Sequence, residues 1–180
     1  MPVITFSGLH GAGKSTYAKY IAREFDLRYV SAGEIARKTA REMGLTITEL
    51  TDLAGRDPSL DKCMDDATRR EAKKGSVVLD GQLAGWMAGE FADIRIYLTA
   101  SMDIRVSRLA SRDGVSLSEA KRELLHREKA EKERYKSLYG IDVGDLSIYE
   151  VILDTSFLRL ESVKTVLKTI VREYVSAQDG

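Results

Sequence analysis

The residues whose types and spacing most clearly suggest a chemical function lie near the amino terminus, where glycines, a lysine and a serine follow an apolar run. The segment from Gly8 to Ser15 reads Gly-Leu-His-Gly-Ala-Gly-Lys-Ser and satisfies the pattern G-x-x-x-x-G-K-[ST]. A β-rich run, Val3–Phe6, precedes it, and a helical pattern, Lys14–Phe25, follows it. Strand, loop and helix therefore come in the order that a phosphate-binding loop requires.

The residue types in this segment suit a polyphosphate. Glycines carry no Cβ, so the backbone can turn tightly and point successive N–H groups at an anion beside the start of a helix. Lys14 supplies a cation for the β- and γ-phosphates, and the Ser15 hydroxyl is placed to ligate a bridging Mg²⁺. We expect ATP with Mg²⁺ to bind here. The predicted ATP-binding residues of the loop are Gly8, Leu9, His10, Gly11, Ala12, Gly13, Lys14, Ser15 and Thr16.

Plainer interpretations of this segment exist. The whole segment could be a glycine-rich turn before an ordinary helix. Thr16 is interpreted as a helix-start residue rather than a second metal ligand, and His10 as a variable loop residue rather than a catalyst.

The composition argues against several classes of protein. The chain has 180 residues and a formal charge of zero, with 28 Lys and Arg against 28 Asp and Glu, so no basic face for nucleic acid is indicated. Cys63 is the only cysteine, which excludes an internal disulfide and a cysteine-rich metal site and favours a reducing compartment, the cytoplasm. We expect no leader segment, no membrane span and no obligatory protein partner.

Apolar periodicity predicts strands that alternate with helices, as in a three-layer α/β/α domain of the P-loop NTPase type with a five-stranded parallel sheet. We interpret residues 1–180 as one domain. The predicted strands are Val3–Phe6, Leu27–Val30, Val77–Leu79, Ile94–Leu98 and Val151–Asp154. The predicted helices are Lys14–Phe25, about 31–43, Thr46–Leu53, Ser59–Lys74, Met102–Arg112, about 116–138 and Leu160–Val175.

Asp80 comes directly after the third predicted strand. The carboxyl ends of parallel strands are where open α/β sheets bind ligands. Asp80 is therefore a candidate site residue, and the alternative is an aspartate that only caps the following loop.

Arginines past residue 100 form a second candidate site. Arg108 and Arg112 precede a short turn, and Arg127 and Arg134 follow it, so two helices could close over a nucleotide as a lid at about 108–135. Phosphoryl transfer needs such cations on the moving group and exclusion of water. Alternatively they are solvated charges. Their partners would then be Glu119, Glu123, Glu128 and Glu131.

Taken in order, these motifs resemble the nucleoside monophosphate kinases, most closely the small archaeal type of cytidylate kinase, over essentially the whole chain. The motifs that carry the resemblance are Gly8-x-x-Gly11-x-Gly13-Lys14-Ser15, the stretch from Ser31 to Arg37, Leu79-Asp80-Gly81, Arg108-x-x-x-Arg112, Arg127-Glu128-x-x-Glu131-x-x-Arg134-Tyr135 and Tyr139-Gly140-Ile141-Asp142.

The resemblance implies a role for each matching residue on the donor side. Lys14 and the loop backbone would hold ATP, Ser15 would ligate Mg²⁺, and Asp80 would hold a water of its shell. Arg108 and Arg112 would contact the donor. The implied catalytic residues are Lys14, Arg112, Arg127 and Arg134, the last two stabilising the transferring phosphoryl and the acceptor phosphate.

On the acceptor side the resemblance implies a helical segment at about 31–75, in which Arg37 clamps the acceptor's α-phosphate. The other implied acceptor residues are Ser31, Gly33, Gln82, Asp142 and, less directly, Asp145. Gln82 departs from the family pattern, because relatives often carry an arginine shortly after the strand end. Its amide can hydrogen-bond a base but cannot replace a phosphate-binding cation.

The implied reaction is Mg²⁺-assisted phosphorylation of CMP, and of dCMP, by ATP. One alternative is a kinase for another small acceptor, such as AMP, UMP or shikimate. The other is a regulatory nucleotide-binding module, although the sequence has no guanine-reading Asn-Lys-x-Asp motif.

Overall fold

Five parallel strands, joined by helices, form the centre of the computed structural model, which describes residues 1–178 apart from the side chains of four residues. Those side chains are Asp61, Cys63, Met64 and Gln178, so the expectation about Cys63 lies outside the described part. The strand order is β2-β3-β1-β4-β5. The strands are β1 (Val3–Gly8), β2 (Arg28–Ser31), β3 (Val77–Asp80), β4 (Ile94–Thr99) and β5 (Val151–Asp154).

The helices connect the strands and cover both faces of the sheet. They are α1 (Lys14–Glu24), α2 (Ala32–Glu42), α3 (Ile47–Ala54), α4 (Pro58–Lys74), α5 (Ala84–Ala88), α6 (Met102–Asp113), α7 (Leu117–Tyr139) and α8 (Leu160–Gln178). None of the described helices is both long and apolar enough to cross a bilayer.

The three central strands, β1, β3 and β4, are buried on both faces, which explains their mainly apolar sequences. Side chains alternate between the faces of a strand. Ile4, Phe6 and Val78 therefore pack with α1 and α8, whereas Val77 and Leu79 pack on the opposite face with α4 and α5. The three-layer α/β/α class with a five-stranded parallel sheet is confirmed.

The predicted boundaries differ from the observed ones by a few residues, mostly at helix caps. Thr46 is the N-cap of α3 and forms a reciprocal capping box with Glu49. Asp57 caps α4, with Pro58 in its first turn. The short helix α5 was not predicted, because five residues are too few to show a period.

Helices α6 and α7 form an antiparallel hairpin with a small core of its own. Val106, Leu109 and Ala110 of α6 pack against Ala120 and Leu124 of α7. The turn between the helices begins at Gly114, which has a φ of +70°. The hairpin therefore has a small hydrophobic core separate from the one around the sheet.

Candidate active site

The loop between β1 and α1 has the backbone that its glycines predict. Gly8, Gly11 and Gly13 have φ values of +128°, +79° and +93°, a region that disfavours residues with a Cβ. A Cβ on Gly8 would lie 1.9 Å from the carbonyl oxygen of Leu98, and one on Gly11 would lie 2.8 Å from that of Arg105. The glycines are therefore required both for the loop's turns and for its close contact with β4 and α6.

Lys14 begins α1, and its side chain curls back over the loop. Its Nζ donates to the carbonyl oxygens of Gly8, at 2.7 Å, and Leu9, at 2.9 Å. Burial lowers the pKa of Lys14 to about 8, although the nearby carboxylates of Asp80 and Glu131 act in the opposite direction. The structure thus holds a desolvated ammonium group at the mouth of the loop.

Asp80, at the end of β3, accepts hydrogen bonds from three hydroxyl groups. Its Oδ2 accepts from Ser15 Oγ at 2.6 Å, Tyr29 Oη at 2.8 Å and Ser31 Oγ at 3.1 Å. Burial, and then the negative charge of Asp80, raise the pKa of Tyr29, which keeps this phenol a donor. The aspartate therefore orients the Ser15 hydroxyl, and the set of oxygen atoms suits a hard cation such as Mg²⁺.

A cleft of about 540 Å³ extends from the loop between α2, α3, α4 and the α6–α7 hairpin. The donor and acceptor residues inferred from the sequence largely meet in it. The predicted site residues that line the cleft are His10, Gly11, Gly13, Lys14, Ser15, Thr16, Ser31, Gly33, Arg37, Asp80, Gln82, Arg108, Arg112, Arg127 and Arg134.

Four arginines from three helices, α2, α6 and α7, approach the cleft. The guanidinium of Arg37 folds over Gly33 of α2, where an added Cβ would lie 3.3 Å from its Nη1. Burial lowers the pKa of Arg37, and the positive charges of Arg112 and Arg127 lower it further. Arg112 is partly exposed and paired with Asp113, and Arg134 Nη1 lies 3.4 Å from the carbonyl oxygen of Thr51. The cleft thus concentrates positive charge that an anion would neutralise.

Arg108 supports the loop from beneath rather than lying free in the cleft. Its Nη1 donates to the Gly11 carbonyl oxygen at 3.2 Å and to Thr155 Oγ1 at 2.9 Å. The buried Thr155 hydroxyl in turn donates to the Ala12 carbonyl oxygen at 2.9 Å. Arg108 and Thr155 therefore fix the carbonyl oxygens of Gly11 and Ala12 in the phosphate loop.

His10 makes a side-chain contact that its interpretation as a variable loop residue does not include. Its Nε2 lies 2.6 Å from Oε2 of Glu131 on α7, a residue 121 positions further along the chain. Glu131 also accepts from Nε of Arg127 at 2.8 Å. The alternative of solvated charge pairs is wrong for Glu131, because this residue is 3% exposed.

The structure does not bring Asp142 to the cleft. It lies in an exposed turn after α7, where its Oδ1 accepts from the backbone N–H of Gly144 at 2.9 Å. The expectation that Asp142 meets the acceptor stays a prediction, because this turn uses only Oδ1 of the carboxylate. Gln82 does line the cleft, and its buried Oε1 has no hydrogen-bond partner among the described residues.

Several residues of the site were missed from the sequence. Thr155 directly follows β5, so its position at the carboxyl end of a strand was a usable signal, whereas Tyr29 lies within β2 and had no such signal. Arg105 gave no such signal. It is buried and donates to the carbonyl oxygen of His10 at 3.2 Å and to Oε1 of Glu128 at 2.5 Å.

A phosphate loop on a parallel α/β sheet, facing arginines on a helical hairpin, defines the class of P-loop kinases. Comparison with known proteins agrees. Residues 3–157 match the model of the cytidylate kinase-like family. The chain belongs to that family.

The chain is similar in sequence to cytidylate kinases and in fold to solved kinase structures. A cytidylate kinase of Staphylothermus marinus is 43% identical, over 97% of this chain and 99% of that protein, and one of Pyrococcus horikoshii is 41% identical, over 94% and 88%. A shikimate kinase structure from Acinetobacter baumannii covers 96% of this chain and 94% of its own, with a TM-score of 0.63 and 15% identity. That last similarity concerns the fold alone.

Proposed function

We propose that this protein transfers the γ-phosphoryl group of ATP to CMP, and to dCMP, and releases ADP and the cytidine diphosphate. The observation that carries the proposal is one cleft that joins the phosphate loop to Arg37 of α2 and Arg127 of α7. The cytidylate kinase relatives, at 41–46% identity, support CMP as the acceptor.

The residues of this chain perform alignment and charge stabilisation rather than covalent catalysis. The loop N–H groups and Lys14 hold the donor phosphates, and Arg37 holds the acceptor phosphate, so that an acceptor oxygen can attack in line. Arg112, Arg127 and Arg134 stabilise the charge on the transferring group. Gln82 hydrogen-bonds the acceptor base through its unpartnered carbonyl oxygen.

Mg²⁺ belongs to the same proposal. The Ser15 hydroxyl would hold the ion directly and Asp80 through water, since their oxygen atoms are 2.6 Å apart and of the ligand type it prefers. When bound, Mg²⁺ neutralises charge on the β- and γ-phosphates.

The hairpin of α6 and α7 is proposed as a lid, at about 108–135, over a single domain in which residues 31–75 bind the acceptor. The hairpin's separate core and its arginines support closure of the end near Gly114, about a base that Arg105 and Arg108 hold to the phosphate loop, and this closure excludes water. Amide exchange at residues 113–116 should slow when a bisubstrate analogue binds. Equal exchange with and without it would contradict the lid.

We also assign the enzyme to the cytoplasm.

An acceptor screen tests the function. ADP release from MgATP should be stimulated by CMP and dCMP far more than by AMP, UMP or shikimate. Lys14→Ala should lose about 10³-fold in kcat while the protein keeps its fold. Fastest turnover with an acceptor other than a cytidine monophosphate would reject CMP and dCMP as the substrates. ATP hydrolysis at a rate that no acceptor changes would favour a regulatory module.

A further inference from the structure

A chain of hydrogen bonds joins the phosphate loop to helix α7 through the buried carboxylate of Glu131. His10 Nε2 lies 2.6 Å from its Oε2, and Arg127 Nε donates to its Oε1 at 2.8 Å. Each carboxylate oxygen therefore has a donor of its own. The Glu131 side chain is 5% exposed, so water competes little for either bond.

The charges of this link follow from its surroundings. A carboxylate can only accept, so the hydrogen of the His10 bond is assigned to Nε2. Burial lowers the pKa of His10 despite the facing carboxylate, which keeps the ring neutral at pH 7. Burial would raise the pKa of Glu131, but the hydrogen bond from His10 and the charge and hydrogen bond of Arg127 outweigh it and lower this pKa. The link therefore consists of a neutral imidazole, a carboxylate and a guanidinium.

The bond to Glu131 uses Nε of Arg127 and leaves its two terminal nitrogens. Neither of these nitrogens donates to a protein atom among the described side chains, and Arg127 lines the cleft. A guanidinium group is planar, so a fixed Nε also fixes the direction of the terminal pair. That pair can then donate to a phosphoryl group in the geometry that arginine favours.

A second contact fixes the loop's end of the same link. The buried Arg105 donates to the carbonyl oxygen of His10 and to Glu128, which lies one turn before Glu131 on α7. The ring of His10 is thus held by Glu131 of α7, and its backbone by Arg105 of α6, which is paired with Glu128 of α7. Glu131 is therefore not only the partner of Arg127 four residues before it on the helix surface, because it also contacts a loop residue 121 positions earlier in the chain.

We propose that Glu131 is a positioning residue that holds the guanidinium of Arg127 in register with the phosphate loop, and that His10 anchors it there. The inference rests on the proposed function, because it assigns Arg127 to the transferring phosphoryl group.

Kinetics of matched variants test the proposal. Glu131→Gln should lower kcat about 10²-fold and change the KM of ATP and of CMP less than threefold. The control Glu133→Gln, two positions away and exposed, should leave both unchanged. His10→Ala should lower kcat about tenfold, and His10→Gln, which keeps a donor, should recover most of that loss.

The decisive comparison places the same change in an Arg127→Ala background. There Glu131→Gln should alter kcat less than twofold, because its effect passes through the missing guanidinium. A purely structural glutamate would lose the same factor in both backgrounds, and that result would overturn the proposal.

Amide exchange separates this inference from the proposed function. The hydrogen-bonded amides of Leu9 and Ala12 should exchange about tenfold faster in Glu131→Gln and in His10→Ala than in Glu133→Gln. An unmodified enzyme that fails to phosphorylate CMP would reject the function, whereas unchanged loop exchange in both variants would reject the link. His10→Ala provides the same test should Glu131→Gln not fold.

Discussion

Ser15 Oγ donates a hydrogen bond of 2.6 Å to Oδ2 of Asp80, and this bond connects the start of α1 with the end of β3. The two residues are 65 positions apart in the chain and become neighbours because β3 pairs directly with β1. The bond places a hydroxyl and a carboxylate beside the phosphate loop, where the proposed Mg²⁺ would bind.

Asp80→Asn should lower kcat about 10- to 100-fold and raise the Mg²⁺ concentration needed for half-maximal rate. The neutral amide keeps the shape of the side chain but loses the charge that orients three hydroxyls. Titration of the rate with Mg²⁺ measures the effect. Asp93→Asn is the control. Asp93 accepts from the backbone N–H of Val3 at the amino ends of the strands, away from the cleft, so this substitution should affect stability alone. An unchanged Mg²⁺ dependence in Asp80→Asn would count against the metal site.

ATP binding should take up protons near pH 8. Burial holds the pKa of Lys14 at about 8 in the free enzyme, and a bound polyphosphate raises it, so a lysine that is partly neutral at pH 8 becomes charged. ATP affinity should accordingly fall as the pH rises through about 8. Calorimetric titrations in buffers of different ionisation enthalpy measure the uptake. Lys14→Arg, which stays charged, should abolish it, and equal uptake in that variant would show that another group titrates.

Arg37→Ala should raise the KM of CMP about 10- to 100-fold and change kcat less than threefold, because the lost interaction is a charged hydrogen bond to the acceptor rather than to the moving group. Lys38→Ala removes a neighbouring cation that is 73% exposed and should change neither constant. Steady-state kinetics with CMP varied at saturating ATP distinguish the two. A loss confined to kcat would reassign Arg37 to the transferring phosphoryl group.

Gly8→Ala should destabilise the protein by about 3 kcal/mol or more, because its Cβ would lie 1.9 Å from the Leu98 carbonyl oxygen at a φ of +128°. Gly44→Ala provides the matched control. Gly44 also has a positive φ, +68°, but a Cβ there meets nothing within 4 Å, so we expect a cost of only about 1 kcal/mol. Urea unfolding of both variants measures the difference. Equal losses in the free energy of unfolding would show that the positive φ alone, and not the contact with β4, makes glycine necessary at position 8.

The sequence alone predicted the features that depend on short-range patterns. The phosphate loop was predictable because glycine, lysine and serine act there through backbone geometry and local position. The five strands were predictable because each is a short run of apolar or other strand-favouring residues between helical patterns, and their parallel direction follows from the connecting helices. The differences between the predicted and the observed elements are local. Helix ends differ by a few residues, mostly at the caps, and the five-residue α5 was too short to show a period.

Tertiary structure decided which distant side chains share a hydrogen bond. His10 and Glu131, 121 positions apart, carry no pattern that pairs them, and Arg105 has the sequence context of an ordinary helix arginine although it is buried. For Asp142, the motif points to the acceptor, whereas the structure shows its Oδ1 in an exposed turn outside the residues that line the cleft. The physical reason is that sequence spacing determines which face of an element a side chain occupies, whereas only packing determines what lies opposite that face.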